Sequence, residues 1–219
     1  MKSDAYPRAR TGLLLVDPYN DFISEGGKLW DRVKDVATAV DLISHLRQVV
    51  SAARTAGIQI FFVPHRRWKP GMYGTWKHPN ASQIGSGKIK LVEEGSWGAE
   101  WHPDFIPQAG DVVIQEHWAQ SGFANTDLDQ QLKQHDIQKI IVIGMIANTC
   151  IESTARFGME LGYHVTLVRD ATAAFSREAM HAAHAVNGPS LAHAILTTDE
   201  LIAALPGEAP ETSHTGTAA

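Results

Sequence analysis

The chain has one cysteine in 219 residues, Cys150. A single thiol excludes an intramolecular disulfide, so no covalent staple supports the fold and a reducing cytoplasm is the expected setting. No apolar run approaches the roughly 18 residues of a membrane span, and the opening "MKSDAYPRAR" lacks the apolar core of a secretory leader. Neither sign of charge dominates. Nineteen Lys and Arg are mixed with 24 Asp and Glu for a net −5, which argues against a nucleic-acid surface. No internal repeat stands out. What the chain does have is apolar content: 44% of its residues are hydrophobic, enough for one substantial core without disulfides or metals. The expectation is a cytoplasmic protein with no membrane or nucleic-acid partner.

The apolar residues fall into alternating patterns. "TGLLLV" (11–16) is a short continuous run, as expected of a strand covered on both faces. From Val33 to Thr55 the apolar spacing predicts one helix, with Gly57 placed to end it. "IQIFFVP", "DVVIQ", "KIIVIG", "YHVTLV" and "AHAILTT" supply five more strands. The stretches 125–135, 149–161, 177–186 and 199–205 read as helices between or after them. Strands alternating with helices predict an α/β fold, a three-layer α/β/α sandwich around a six-stranded, mainly parallel sheet. A single domain over residues 1–205 and a flexible tail over 206–219 follow from the same pattern.

Residues 65–110 break the rhythm. They contain no long periodic run, and loops this long inside compact domains are usually functional or disordered. Trp76, Trp97 and Trp101 argue for order, because they can anchor the segment. A lid or an oligomer contact is expected there.

The cysteine sits in "GMIANTCIESTAR", where a buried strand hands over to a helix. Ligands of open parallel sheets bind beyond the C-terminal strand ends. At such a helix start the dipole favours a thiolate, and unpaired N–H groups can hold an oxyanion beside the sulfur. The plainer alternative is a small buried residue. Asp17 ends the first strand at the same sheet edge, as a turn cap or as a base for the thiol.

"LLLVDPYNDF", "GDVVIQEHWAQSGFANTDLDQQL" and "IVIGMIANTCIESTARFGMELGYHVTLVRDATAAF" together resemble the isochorismatase-like cysteine hydrolases, over roughly Gly12 to Thr197. That group includes nicotinamidases, N-carbamoylsarcosine amidohydrolase, and ureidoacrylate and biuret hydrolases. The resemblance implies a flavodoxin-like sheet, a homo-dimer or homo-tetramer, and an Asp–Lys–Cys catalytic set with Asp17 as base and Cys150 as nucleophile. It also implies a cis peptide bond between Met145 and Ile146, with the Ile146 and Cys150 amides as the oxyanion hole. The lysine is missing. A forward count from Asp111 reaches Glu116, but the run to "SGF" is one residue long, so His117 also fits. Glu116 is the expected third catalytic residue and His117 a substrate-binding one.

Phe22, His65, Trp118 and Phe123 complete the expected substrate-binding set. His65 follows strand two without the Asp-x-His pair of the metal-binding nicotinamidases, so no metal or other cofactor is expected. His181 and His184 lack a ligand partner nearby and are expected at the surface. "GSGK" (85–88) lacks the context of a phosphate loop. The expected activity is hydrolysis of a C–N bond in a small amide, carbamoyl or ureido substrate through an acyl-cysteine. An isochorismatase-type ether hydrolase, a redox-reactive thiol and a silent assembly protein are the alternatives.

Overall fold

The computed structural model describes residues 5–209. The expected tail lies mostly outside them. Six strands form one sheet: β1 (Thr11–Val16), β2 (Gln59–Val63), β3 (Val112–Val113), β4 (Lys139–Met145), β5 (His164–Ala173) and β6 (Ala194–Leu196). Their order is β3-β2-β1-β4-β5-β6, and every pairing is parallel. The chain builds outward from β1 in one direction, then returns to place β4 on its other side. The C-terminal ends of β1 and β4 therefore meet at the point where the winding reverses, where such sheets bind ligands.

Both faces are covered because strand residues alternate between two cores. Leu13 and Leu15 pack toward α2 (Trp30–Ala39), α3 (Leu42–Thr55) and α8 (Thr198–Ala204). Leu14 and Val16 pack toward α5 (Leu128–Gln134) and α6 (Glu152–Glu160). The short helices α1 (Asn20–Ile23), α4 (Ala81–Lys88) and α7 (Arg177–His181) complete the set. Among the described residues no helix is long and apolar enough to cross a membrane.

Two elements and the burial of one histidine bear on the core and differ from expectation. The predicted helix over 33–55 is two helices, broken where Asp41 adopts φ +47°. A continuous 23-residue helix would run roughly 35 Å, well past strands of roughly 20 Å, and aspartate tolerates the left-handed region better than most residues. Next, β3 spans only Val112–Val113 instead of 111–115. Finally, His184 is buried rather than exposed, with Nε2 2.8 Å from Thr172 Oγ1. An apolar pattern around a histidine does not reveal a polar partner on a neighbouring strand.

Segment 65–110 is held to the body by Asp21. This buried carboxylate accepts from the amides of Val92 at 2.8 Å and Lys28 at 3.1 Å. Gly98 packs so tightly against it that a Cβ there would lie 2.2 Å from Oδ1. Trp101 stacks on Tyr19 at 4.6 Å between ring centroids, the anchoring expected of it. Trp97, by contrast, is half exposed.

Candidate active site

Three strand ends converge. Asp17 follows β1 and adopts φ +54°, turning its side chain back across the sheet edge. Cys150 lies on a π-helical turn, Ala147–Ile151, that joins β4 to α6. Gly144 makes that approach possible: it has φ +111°, and a Cβ there would fall 2.1 Å from the Val16 carbonyl oxygen. The Met145–Ile146 bond is cis.

His117 is the third group. Its Nε2 lies 2.9 Å from Asp17 Oδ1, and neither side chain is exposed. One ligating atom each from Asp17, His117 and Cys150 lie within 4.8 Å of one another. Glu116 points elsewhere. Its carboxylate is paired with the Arg67 guanidinium and accepts from the Arg67 amide at 3.1 Å, tying down the loop after β2.

A one-residue bulge explains why the forward count fails. The Ile114 amide bonds to Phe62 O, so regular parallel pairing would send residue 116 to Pro64. Instead His117 donates to Pro64 O, and Gln115 turns aside to the Asp127 carboxylate. The extra residue re-aims the strand end, which is what a bulge does. His117 thus occupies the slot that counting assigns to Glu116. Counting back from "SGF" would have absorbed the insertion and reached the histidine.

Cys150 lines a cavity of about 420 Å³. Burial pushes the Cys150 thiol well above its usual range, and the neighbouring Asp17 charge raises it further. Hydrogen bonding from Thr149 and from the Ile146 amide opposes this only in part. The expectation of a thiolate at a helix start therefore gives way to a resting thiol: the π turn buries the sulfur beside a carboxylate, and desolvation outweighs the dipole.

The cavity wall includes Phe22 and His65, together with Gln120, Ile146, Phe175 and residues of α4. His65 Nδ1 is 2.9 Å from Arg66 O, and burial, aided by nearby His117, lowers its pKa. Trp118 and Phe123 do not line this cavity. Trp118 lies half-buried beneath the Arg66 guanidinium, 3.9 Å from its ring centroid. Phe123 stacks on Phe157 and Tyr163 in the core beside α6. Aromatics following a strand end had two faces available, and these two turn away.

Arg32, on α2, is the wall residue that sequence patterns did not single out. It is the only Lys, Arg, Asp or Glu in the wall, and no carboxylate among the described residues lies within ion-pair distance of it. Its guanidinium rests 4.3 Å from the Phe175 ring centroid.

Known proteins share this fold and sequence pattern. A ureidoacrylate amidohydrolase from Yersinia enterocolitica is 35% identical over 179 residues, which is 77% of either chain. Among solved structures, a cysteine hydrolase from Pseudomonas syringae pv. phaseolicola superposes with TM-score 0.76 at 24% identity, covering 91% of this chain and 94% of the other. The N-carbamoylsarcosine amidase of Thermoplasma acidophilum does so with TM-score 0.60 at 25% identity, covering 87% and 98%. Residues 11–200 match the model of the isochorismatase domain, and this chain belongs to the isochorismatase family.

Proposed function

We propose that this chain is an amidohydrolase that cleaves a non-peptide C–N bond of a small ureido or carbamoyl substrate through an acyl-Cys150 intermediate. The observation that carries the reading is the buried set of Asp17, His117 and Cys150, of which Cys150 lines the cavity. The similarity to a ureidoacrylate amidohydrolase and to an N-carbamoylsarcosine amidase supports the substrate class.

Each residue has a distinct part. Asp17 Oδ2 is buried and has no hydrogen-bond partner among the described residues, so it can take the thiol proton as sulfur attacks the substrate carbonyl. His117 holds the other carboxylate oxygen in place. The Ile146 amide faces the sulfur, and with the Cys150 amide it would receive the oxyanion of the tetrahedral intermediate. Asp17 then returns the proton to the departing nitrogen, releasing ammonia. Water, deprotonated by the same carboxylate, then cleaves the thiocarbamate; the proton passes from Asp17 to the departing sulfur, which restores the Cys150 thiol, and the product leaves as a carbamate. Coupling proton transfer to attack suits a sulfur that is a thiol at rest.

Arg32 supports a substrate with an anionic group, since a guanidinium without an acidic partner is a ready carboxylate site. The raised thiol pKa counts against the redox alternative, which needs an exposed thiolate. Assembly into a dimer or tetramer and a cytoplasmic location complete the reading; Trp97 at 50% exposure and Ile106 at 55% are surfaces a partner subunit would cover.

The test is ammonia release from a panel of small amides, ureas and carbamoyl acids, with intact mass spectrometry of the stalled enzyme. Turnover of a ureido or carbamoyl acid with an adduct lost in Cys150→Ser supports the reading. No turnover across the panel, or equal turnover by Cys150→Ser, overturns it.

A further inference from the structure

We propose that Asp17, His117 and Cys150 also bind one Zn²⁺ ion, and that this binding silences the thiol reversibly. The site stands on donor geometry alone; the silencing rests on the hydrolytic reading above.

Carboxylate oxygen, imidazole nitrogen and thiolate sulfur are the three side-chain donors that zinc takes. Here one of each lies within 4.8 Å of the others, and all three side chains are buried. Zinc bond lengths of about 2.0–2.3 Å in a tetrahedron separate ligand atoms by roughly 3.3–3.6 Å, so closure requires shifts of about 1 Å. Asp17 Oδ2 is the second sign of an incomplete site. It is a fully buried carboxylate oxygen, with no hydrogen-bond partner among the described residues. Access is provided by the cavity, whose wall includes Cys150 and onto which a fourth coordination position can open.

Binding is balanced by one proton. The thiol proton leaves to the buffer as the Zn–S bond forms; the Nε2 proton that bonds Asp17 is given up while Nδ1 takes one on, a tautomer change with no net proton release that frees the Nε2 lone pair for the metal. Among the described residues that Nδ1 has no partner to orient the ring from behind. Zinc ligands normally have such a partner, and its absence sets the affinity below that of structural zinc sites, so the ion can be removed. While coordinated, the sulfur cannot attack a carbonyl.

The full chain, stripped with EDTA, would be titrated calorimetrically with ZnCl₂ and, separately, followed by absorption with Co²⁺. The expected result is one equivalent bound, a thiolate-to-cobalt charge-transfer band, and chelator-reversible loss of ammonia release. Cys150→Ser should lose the band and bind zinc at least about tenfold more weakly. His193→Ala should leave binding unchanged, since the stacked His164–His193 pair is the alternative imidazole site. Equal binding by wild type and Cys150→Ser, or no binding at about 100 μM zinc, overturns the site. Ammonia release that rises with zinc overturns the silencing. If no substrate in the panel is turned over, the hydrolytic reading fails, while calorimetry and the cobalt band still decide the site.

Discussion

His117 Nε2 and Asp17 Oδ1 face each other at 2.9 Å with no solvent access to either side chain. A hydrogen bond of this kind, to a charged group and fully desolvated, is costly to break from one side only. His117→Ala should therefore lower kcat by about 10²-fold or more, with KM changed far less. Asn at the same position keeps a donor and should recover part of the loss. Glu116→Gln removes only a carboxylate paired with Arg67 at the loop, and should keep kcat within severalfold of wild type. Steady-state kinetics on the three variants, with thermal melts as fold controls, decide between the two residues. A silent His117→Ala beside a dead Glu116→Gln would reverse the assignment.

The six strands, the two covered sheet faces and the positions of Asp17 and Cys150 are legible because each follows from a local pattern. Apolar runs mark strands, and a polar residue directly after one marks the sheet edge. The third residue is not local in this sense. Its identity depends on a bulge between Ile114 and His117, visible only through pairing with Phe62 and Pro64 on another strand. Phe123 and Trp118 fail for a related reason: composition shows that an aromatic follows a strand, but not which way it turns. Arg32 lies in an ordinary amphipathic helix, and only the structure shows that it lines the cavity with no carboxylate partner among the described residues. Asp21 reads as one more polar residue after β1, although it bonds to amides 7 and 71 residues away.

Asp21 is a stability determinant, not part of the chemistry. Its carboxylate is buried and its oxygens accept two backbone amides, with the Lys28 ammonium 3.7 Å away. Asp21→Ala leaves those amides unpaired and opens a void under Gly98, so unfolding free energy should fall by about 2–4 kcal/mol. Gly98→Ala drives a methyl into the same carboxylate and should also destabilise. Urea denaturation measures both. Losses within experimental error would mean that segment 65–110 is held chiefly by Trp101 and its neighbours.

Arg32 can be tested by charge, not by activity alone. A charge-assisted contact to a substrate carboxylate is worth about 1.5–3 kcal/mol, or roughly a 10- to 100-fold change in affinity. Arg32→Ala should raise KM by that factor for a ureido or carbamoyl acid that is turned over, while leaving its methyl ester nearly unaffected. Arg32→Lys should fall between the two, since it keeps the charge but loses the planar contact with Phe175. Equal effects on acid and ester would assign Arg32 to shaping the cavity.

The Cys150 thiol provides a sharper test, because its surroundings push it in a direction opposite to that of an activated thiolate. Burial and the Asp17 charge both raise its pKa. Iodoacetamide should therefore label native protein at pH 7 more slowly than free cysteine, and the rate should keep climbing above pH 8.5, roughly the ordinary thiol pKa. Asp17→Asn removes the repelling charge, so that variant should label faster than wild type while losing hydrolysis. The same shift has a consequence for stability. Between the ordinary pKa and the raised one, the folded state holds a proton that the unfolded state has lost, so stability falls as pH rises through that window. Below it, both states are protonated and the contribution is fully present. Cys150→Ser has no thiol to titrate and should show a flatter profile above pH 8.5, which urea melts at a series of pH values will measure. Fast native labelling with parallel stability profiles for wild type and Cys150→Ser would mean that the site holds a thiolate at rest, and Asp17 would then have no thiol proton to remove.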